Sequence, residues 1–265
     1  MNPADILKHH DQCSFWTHPA NDQVELNMES AYECALAVRT LRIARGERAR
    51  GFKIGFTNRN IWDRYNVTAP IWGTIYDTTV SFCDESAAIS IANSCQPRIE
   101  PEAVFGMRDS PAPDATLDDL FNAIDWIAPG FEIVQSHREK WKFNGIDSIL
   151  DGGLHAHLLI GRKISINSIA ATSSELDIYL STSDVILMNG KQVIEKGFGS
   201  CVLGSPLQAL HHFLKELRQC PLGPDLIKGD VVTTGTWTDA WPVNQGQSWS
   251  GLFNHPLGKL EIKLI

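Results

Sequence analysis

The sequence predicts an α+β fold, and three features carry that expectation. Short runs of apolar and β-branched residues are abundant, while the helical stretches gather toward the beginning and middle of the chain instead of alternating with strands. Asn189-Gly190 stands between Asp184-Val185-Ile186-Leu187-Met188 and Lys191-Gln192-Val193-Ile194, a strong hairpin signal because both residues tolerate positive φ. Neither Gly-x-Gly-x-x-Gly nor a Walker-type loop is present, so no nucleotide cofactor held in that way is expected.

In chain order, the first forty or so residues read as helical. Residues 29 to 50 carry Tyr32, Leu36 and Ile43 among many Ala and Arg, which are good helix formers. The run Gly51-Phe52-Lys53-Ile54-Gly55-Phe56-Thr57 then reads as a short apolar segment bounded by glycine. A helix is predicted from Thr116, where Thr116 and Asp119 form a cap and Leu117, Leu120, Phe121, Ile124 and Ile127 make one stripe. Another is predicted over residues 206 to 218, with Ser205 as cap, Pro206 in the first turn and Leu207, Leu210, Phe213, Leu214 and Leu217 on one face. Leu158-Leu159-Ile160, Val231-Val232-Thr233-Thr234 and Leu260-Glu261-Ile262-Lys263-Leu264 are further strands. The organisation expected is an N-terminal helical region over residues 1–65 packed on a β-rich catalytic domain over residues 66–265.

The 265 residues are 43% hydrophobic and 20% charged, enough apolar side chain for a sizeable core. The formal net charge of −8 and the absence of a basic block argue against a nucleic-acid partner, whose affinity would come from cations paired with phosphates. No apolar run reaches the roughly 18 to 20 residues a membrane-spanning helix needs. The N-terminal residues lack the basic start and apolar stretch of an export signal, so a cytoplasmic protein is expected. The six cysteines are scattered with no Cys-x-x-Cys and are read as reduced thiols.

The chemistry concentrates in acids. Glu100 and Glu102, in Arg98-Ile99-Glu100-Pro101-Glu102, lie two apart on an extended segment and share one face, their Cβ atoms roughly 6 to 7 Å apart. Like charges that close repel unless a cation sits between them. Pro101 cannot donate to a sheet ladder, which predicts an edge strand or bulge. Glu132 is an isolated acid in the apolar run Pro129-Gly130-Phe131-Glu132-Ile133-Val134. Three carboxylates suit a hard ion such as Mg²⁺, and Mn²⁺ fits the same oxygen set. Other candidates read as structural: His211-His212 point to different faces of one helix, Trp237, Trp241 and Trp249 read as core, His9-His10 as solvated, and Cys201 has no base assigned to it.

Five blocks carry a family resemblance: Phe52-Lys53-Ile54-Gly55-Phe56-Thr57, Arg98-Ile99-Glu100-Pro101-Glu102, Ala128-Pro129-Gly130-Phe131-Glu132-Ile133-Val134, the glycine-rich run from Gly197 to Pro206, and Gly229-Asp230-Val231-Val232-Thr233-Thr234-Gly235. In their order and over roughly residues 50 to 245, the chain resembles the hydratase/decarboxylase branch of the fumarylacetoacetate hydrolase superfamily. That resemblance implies a mixed β-sheet rolled around a central site and preceded by helices. It implies Glu100, Glu102 and Glu132 as metal ligands, Lys53 beside the substrate, and Asp77 as an acid that holds Lys53 or relays a proton. Thr234 is implied as a substrate contact, and homo-oligomeric assembly is implied as well. Where family members commonly read Asp-Asn-Ala-Ser-Ser-Gly, this chain reads Asp151-Gly152-Gly153-Leu154-His155-Ala156. Leu154 and His155 thus replace two substrate-holding serines, and His155 brings a ring that can act as acid or base.

The activity expected is that of a metal-dependent lyase on small 2-oxo or 2-hydroxydienoic acids. Hydration comes first, since no added basic cluster accompanies these motifs to bind a second carboxylate. Decarboxylation is the alternative, followed by acylpyruvate-type C–C hydrolysis or a non-catalytic small-acid binder.

Overall fold

Two asparagines start the helical part of the chain. Asn2 accepts from Ala4 N (2.9 Å) and opens α1, Pro3–Gln12, while Asn27 and Ser30 cap α2, Met28–Ala44, reciprocally. This is a computed structural model that describes residues 2–16 and 27–265. The part of the expected helical stretch at residues 17–26 lies outside the described residues. The helical region ends earlier than residue 65, because β1, Ala49–Gly55, belongs to the main sheet. It lies parallel to a late strand of the chain and antiparallel to β2, Ile71–Tyr76, with the short helix α3, Trp62–Tyr65, between β1 and β2.

The remaining strands sort into two sheets. β3 (Val80–Phe82) and β4 (Ser86–Ile89) precede the long β5, Arg98–Met107. Thr116 and Asp119 cap α4 as expected, but that helix ends at Ala123 and Ile124–Val134 is the eleven-residue strand β6. Ile124 and Ile127 therefore continue the apolar stripe as strand residues: pairing with β5 overrides the helical period. After α5 (Gly145–Leu150) come β7 (His155–Ile160), β8 (Ile164–Ser165) and α6 (Ser173–Thr182). The hairpin β9 (Asp184–Asn189) and β10 (Gln192–Phe198) pairs Asn189 with Gln192, and Gly190 turns the chain at φ 57°. Ser205 caps α7, Pro206–Gln219. β11 (Val231–Thr233), β12 (Trp241–Pro242), β13 (Ser248–Phe253) and β14 (Lys259–Leu264) complete the chain. The larger sheet runs β2-β1-β11-β5-β6-β7-β3, with β12 beside β5 and β8 beside β6; the smaller runs β10-β9-β13-β14-β4.

Strand alternation explains where the site falls. On one face of the larger sheet, Phe52, Ile54, Ala103, Phe105 and Val232 pack under α4, α6 and α7, and Ile99, Phe131 and Ile133 pack on the smaller sheet through Leu187, Trp249, Leu260 and Ile262. The opposite face curls inward on itself. At one end of that inner face lie Ile75, Val104, Ala128, Leu158, Ile160 and Val231; further along the same strands on the same face, two positions on, lie Glu102 and Thr233, and four positions on, Glu132. A period of two thus builds an apolar outer face and an inner face that changes from aliphatic to acidic.

Pro101 sits within this central region, on an interior strand flanked by β6 and by β11 and β12, and not at an edge. The proline is tolerated because β5 changes partner there: β11 pairs with Val104, Phe105 and Gly106, β12 pairs with Arg98 and Ile99, and the interval between them has no ladder to break. Residues 234–240 cross that interval, and the inner face opens beside it.

Candidate active site

Three carboxylates converge on the inner face. Glu100 and Glu102 come from β5, Glu132 from β6, and one oxygen of each lies within 4.8 Å of the others. Glu100 is paired directly with Glu132 across the antiparallel strands, and Glu102 pairs with Gly130, where the Val104 side chain packs so closely that a Cβ would lie 2.5 Å from its Cγ2. Glu102 and Glu132 are fully buried, whereas Glu100 remains partly open. Three charges at that spacing repel by at least roughly 3 kcal/mol per pair even at an effective dielectric of about 20.

The surroundings answer this unevenly. Lys53 on β1 is buried, with Nζ 3.2 Å from Glu132 Oε2. His155 at the start of β7 donates from Nδ1 to Glu132 Oε1 (2.8 Å), and its Nε2 is hydrogen-bonded to the Thr79 hydroxyl (2.9 Å). Burial would raise Glu132, but Lys53 and His155 more than offset it and hold this acid below its ordinary range. Burial drives Glu100 up to about 7, reinforced by Glu132 and opposed by Lys53 and Arg98. Burial and the two neighbouring acids lift Glu102 well above the usual carboxylate range, against a 2.7 Å hydrogen bond from Gly235 N. The Thr233 hydroxyl donates to the same Glu102 oxygen. Lys53 stays protonated: burial pulls it down, but the three acids push it above its ordinary value.

These residues fit a divalent cation on two grounds. Glu102 Oε1 and Glu132 Oε2 are buried and accept no hydrogen bond, Lys53 standing at ion-pair distance from the latter without bonding alignment. With all three carboxylates ionised, one ammonium would also leave two negative charges without compensation, which a divalent cation would offset. An all-oxygen donor set of this kind suits Mg²⁺ or Mn²⁺.

A cleft of about 540 Å³ opens over this cluster. Lys53, Glu100, Leu154 and Trp237 reach its walls, and so do Arg64, Arg98 and Lys140. Arg98 lies with its guanidinium 4.1 Å from the Trp141 ring centre. A cluster of cations is therefore present at the cleft, Arg98 of the β5 motif being joined by Arg64 of α3 and Lys140 of the segment after β6, neither of which lies in a motif.

Three sequence expectations change here. Asp77 does not reach Lys53: it lies exposed just past β2, where its Oδ1 accepts from Arg48 N (3.0 Å). The Thr234 hydroxyl donates to the Ala103 carbonyl (2.9 Å) and not into the cleft, since alternation along β11 turns Thr233 toward the acids. His155 stands behind Glu132 with both ring nitrogens engaged, so it positions an acid and does not line the cleft. Burial lowers its pKa, which keeps the ring neutral. Leu154 does line the cleft, at φ 67°.

The loop before β7 was only partly readable. Asp151 accepts from His137 N (2.9 Å) and stands 2.7 Å from His137 Nδ1 and 3.1 Å from His10 Nε2. His10, read as solvated, is instead stacked on His137 at 4.5 Å, and Trp16 stacks on the pair. One ligand atom each of His10, His137 and Asp151 lies within 4.8 Å of the others, but the two rings stack nearly parallel, a poor arrangement for two ligands of one ion, and the three side chains tie α1 to the loop. Gly73 and Gly153 seat that loop against Lys53: a Cβ at Gly73 would lie 2.0 Å from the Gly152 carbonyl, and one at Gly153 would lie 2.8 Å from Lys53 Cδ.

The chain is similar to several known proteins. No family model matches the chain. A 2-hydroxyhexa-2,4-dienoate hydratase of Comamonas testosteroni is 31% identical over 225 residues, covering 84% of this chain and 81% of the relative. A 4-oxalocrotonate decarboxylase of Pseudomonas sp. (strain CF600) is 26% identical over 230 residues, covering 86% and 82%. Among solved structures, a 4-oxalocrotonate decarboxylase from Pseudomonas putida G7, complexed with magnesium and adipate, superposes with a TM-score of 0.88 at 25% identity, covering 99% of this chain and 95% of that one. Among the described residues, no helix is long and apolar enough to cross a membrane.

Proposed function

The chain belongs to the hydratase/decarboxylase branch of the fumarylacetoacetate hydrolase superfamily, and from that premise we propose that it is a magnesium-dependent lyase adding water to a short 2-hydroxydienoic acid. The observation that supports this most is the convergence of Glu100, Glu102 and Glu132 beneath an open cleft with a protonated Lys53 among them. Manganese would serve the same ligands.

Glu100, Glu102 and Glu132 would hold the ion. When bound, it would supply Lewis-acid stabilisation of negative charge developing on the substrate's enolate oxygen. The chain supplies the rest. His155, fixed by Thr79, holds Glu132 in one orientation. Lys53 keeps its proton at Nζ, where it pairs with the substrate carboxylate or delivers that proton to C5 of the dienolate left when the 2-hydroxyl proton is lost to solvent, giving the conjugated ketone. Water then adds at C4 and a proton at C3. Leu154 and Trp237 line the cleft beside the acids and would give an apolar wall against the substrate's carbon chain.

A second reading, decarboxylation of 4-oxalocrotonate, is supported by Arg64, Arg98 and Lys140 on the cleft wall, which suit a second carboxylate. Purified protein with Mg²⁺ is to be given 2-hydroxypenta-2,4-dienoate and 4-oxalocrotonate separately. A 4-hydroxy-2-oxo acid from the first supports hydration; CO₂ from the second with no water addition to the first replaces it by decarboxylation. No turnover of either, with no thermal shift on adding Mg²⁺ and oxalate, overturns both. Homo-oligomeric assembly in the cytoplasm is part of the proposal, and light scattering of the purified protein tests the assembly.

A further inference from the structure

Cys13 and Cys95 lie 82 residues apart in sequence, yet their Sγ atoms are 2.9 Å apart. Both side chains are held there by backbone. Cys13 follows α1 in a left-handed turn (φ 47°), and three residues later Trp16 N donates to the His137 carbonyl (2.9 Å). Cys95 is nearly fully buried in the loop before β5. Its N–H donates to Gln135 Oε1 (3.1 Å), and its carbonyl accepts from Ser136 N (3.0 Å). The same three-residue stretch after β6, residues 135–137, therefore fixes both cysteine segments, and the two sulfurs meet beside it. A covalent bond requires a further approach of the two sulfurs of roughly 0.9 Å. Both are thiols in the structure, and neither belongs to the acid cluster.

We propose that Cys13 and Cys95 form an oxidisable dithiol, a modification site that a peroxide converts to an intramolecular disulfide clamping α1 to the segment leading into β5. Cys13 is the more exposed of the two and meets the oxidant first. Its sulfur attacks one peroxide oxygen, the O–O bond breaks, and sulfenic acid and one water result. The Cys95 sulfur then attacks the Cys13 sulfur. The S–S bond forms as the S–O bond breaks, and the leaving hydroxide takes the Cys95 proton as a second water. Two thiols lose two electrons and the peroxide gains them. Burial keeps the Cys95 thiol protonated above its ordinary range, which suits the resolving partner and not the first point of attack. The product ties α1, whose His10 already touches Asp151, to the strand that carries Glu100 and Glu102.

The test treats the purified full chain with hydrogen peroxide and compares it with Cys13→Ser and Cys95→Ser. Expected are loss of two titratable thiols out of six, a mass lower by two hydrogens, and one peptide linking residues 13 and 95. Melting is expected to rise by about 5–10 °C and to return on adding dithiothreitol, with no rise in either variant. The peptide map of the wild-type protein stands even if a variant fails to fold. Six free thiols after treatment, a link between other cysteines, or oxygen added to Cys13 without a cross-link would overturn the proposal.

Discussion

Glu100 on β5 and Glu132 on β6 stand directly opposite one another across an antiparallel pair. Like charges in that relationship are ordinarily destabilising, and here they lie in a buried inner face. The pair is kept because its members are treated differently: Glu132 is ionised against Lys53 and His155, and Glu100 is poised near neutrality at about 7. A divalent ion would let both be charged.

Glu100→Gln removes one oxygen ligand and one negative charge while keeping the shape. Without metal its melting temperature should equal or exceed that of the wild type, because a like-charge contact is gone. The stabilisation gained from Mg²⁺ should vanish, and turnover should fall by about 100-fold or more. Differential scanning fluorimetry with and without EDTA, together with steady-state kinetics, checks this; unchanged activity at limiting Mg²⁺ would refute the ligand assignment.

His155→Ala frees one oxygen of Glu132. Affinity for Mg²⁺, measured by calorimetric titration, should weaken by about 10–100-fold. Thr79→Val removes only the hydroxyl behind the ring and should weaken binding less. Equal loss in both variants would mean that the ring's orientation, and not its bond to Glu132, is what matters.

Gly73→Ala places a methyl group 2.0 Å from the Gly152 carbonyl. The loop carrying Gly153 must retreat from Lys53, at about 1–3 kcal/mol in stability. Turnover should fall at temperatures where circular dichroism still shows a fully folded protein.

Glu47 supplies a pH dependence remote from the cleft. Burial would raise its pKa, but bonds from Arg42 (2.6 Å), Thr78 (2.7 Å) and Arg45 outweigh it and hold the acid at about 2, against 4.5 unperturbed. A depressed pKa contributes stability that is complete above about 4.5 and lost as pH falls toward 2. Glu47→Gln should therefore be less stable than wild type by about 1–2 kcal/mol near neutrality, after allowance for solvent screening. The gap in urea midpoints should close between pH 4.5 and 2.

The sequence by itself determined much of this protein. Helix caps at Thr116 and Ser205, the turn at Asn189-Gly190, and the spacing of Glu100 and Glu102 are local facts, each set by bonds or dihedrals within a few residues. The motif blocks carried Lys53 and Glu132 to the same site. Tertiary structure alone decided the rest, for reasons of long-range pairing. Ile124 and Ile127 obey a helical period until β5 offers a strand partner, and Pro101 reads as an edge residue until β11 and β12 leave a gap beside it. Asp77 and Thr234 fit the motifs, but which way a side chain faces follows from strand register, fixed by partners far away in the chain. Thr79, Arg64, Lys140 and the Cys13–Cys95 contact have no sequence signature at all, because nothing local distinguishes them until folding closes the distance.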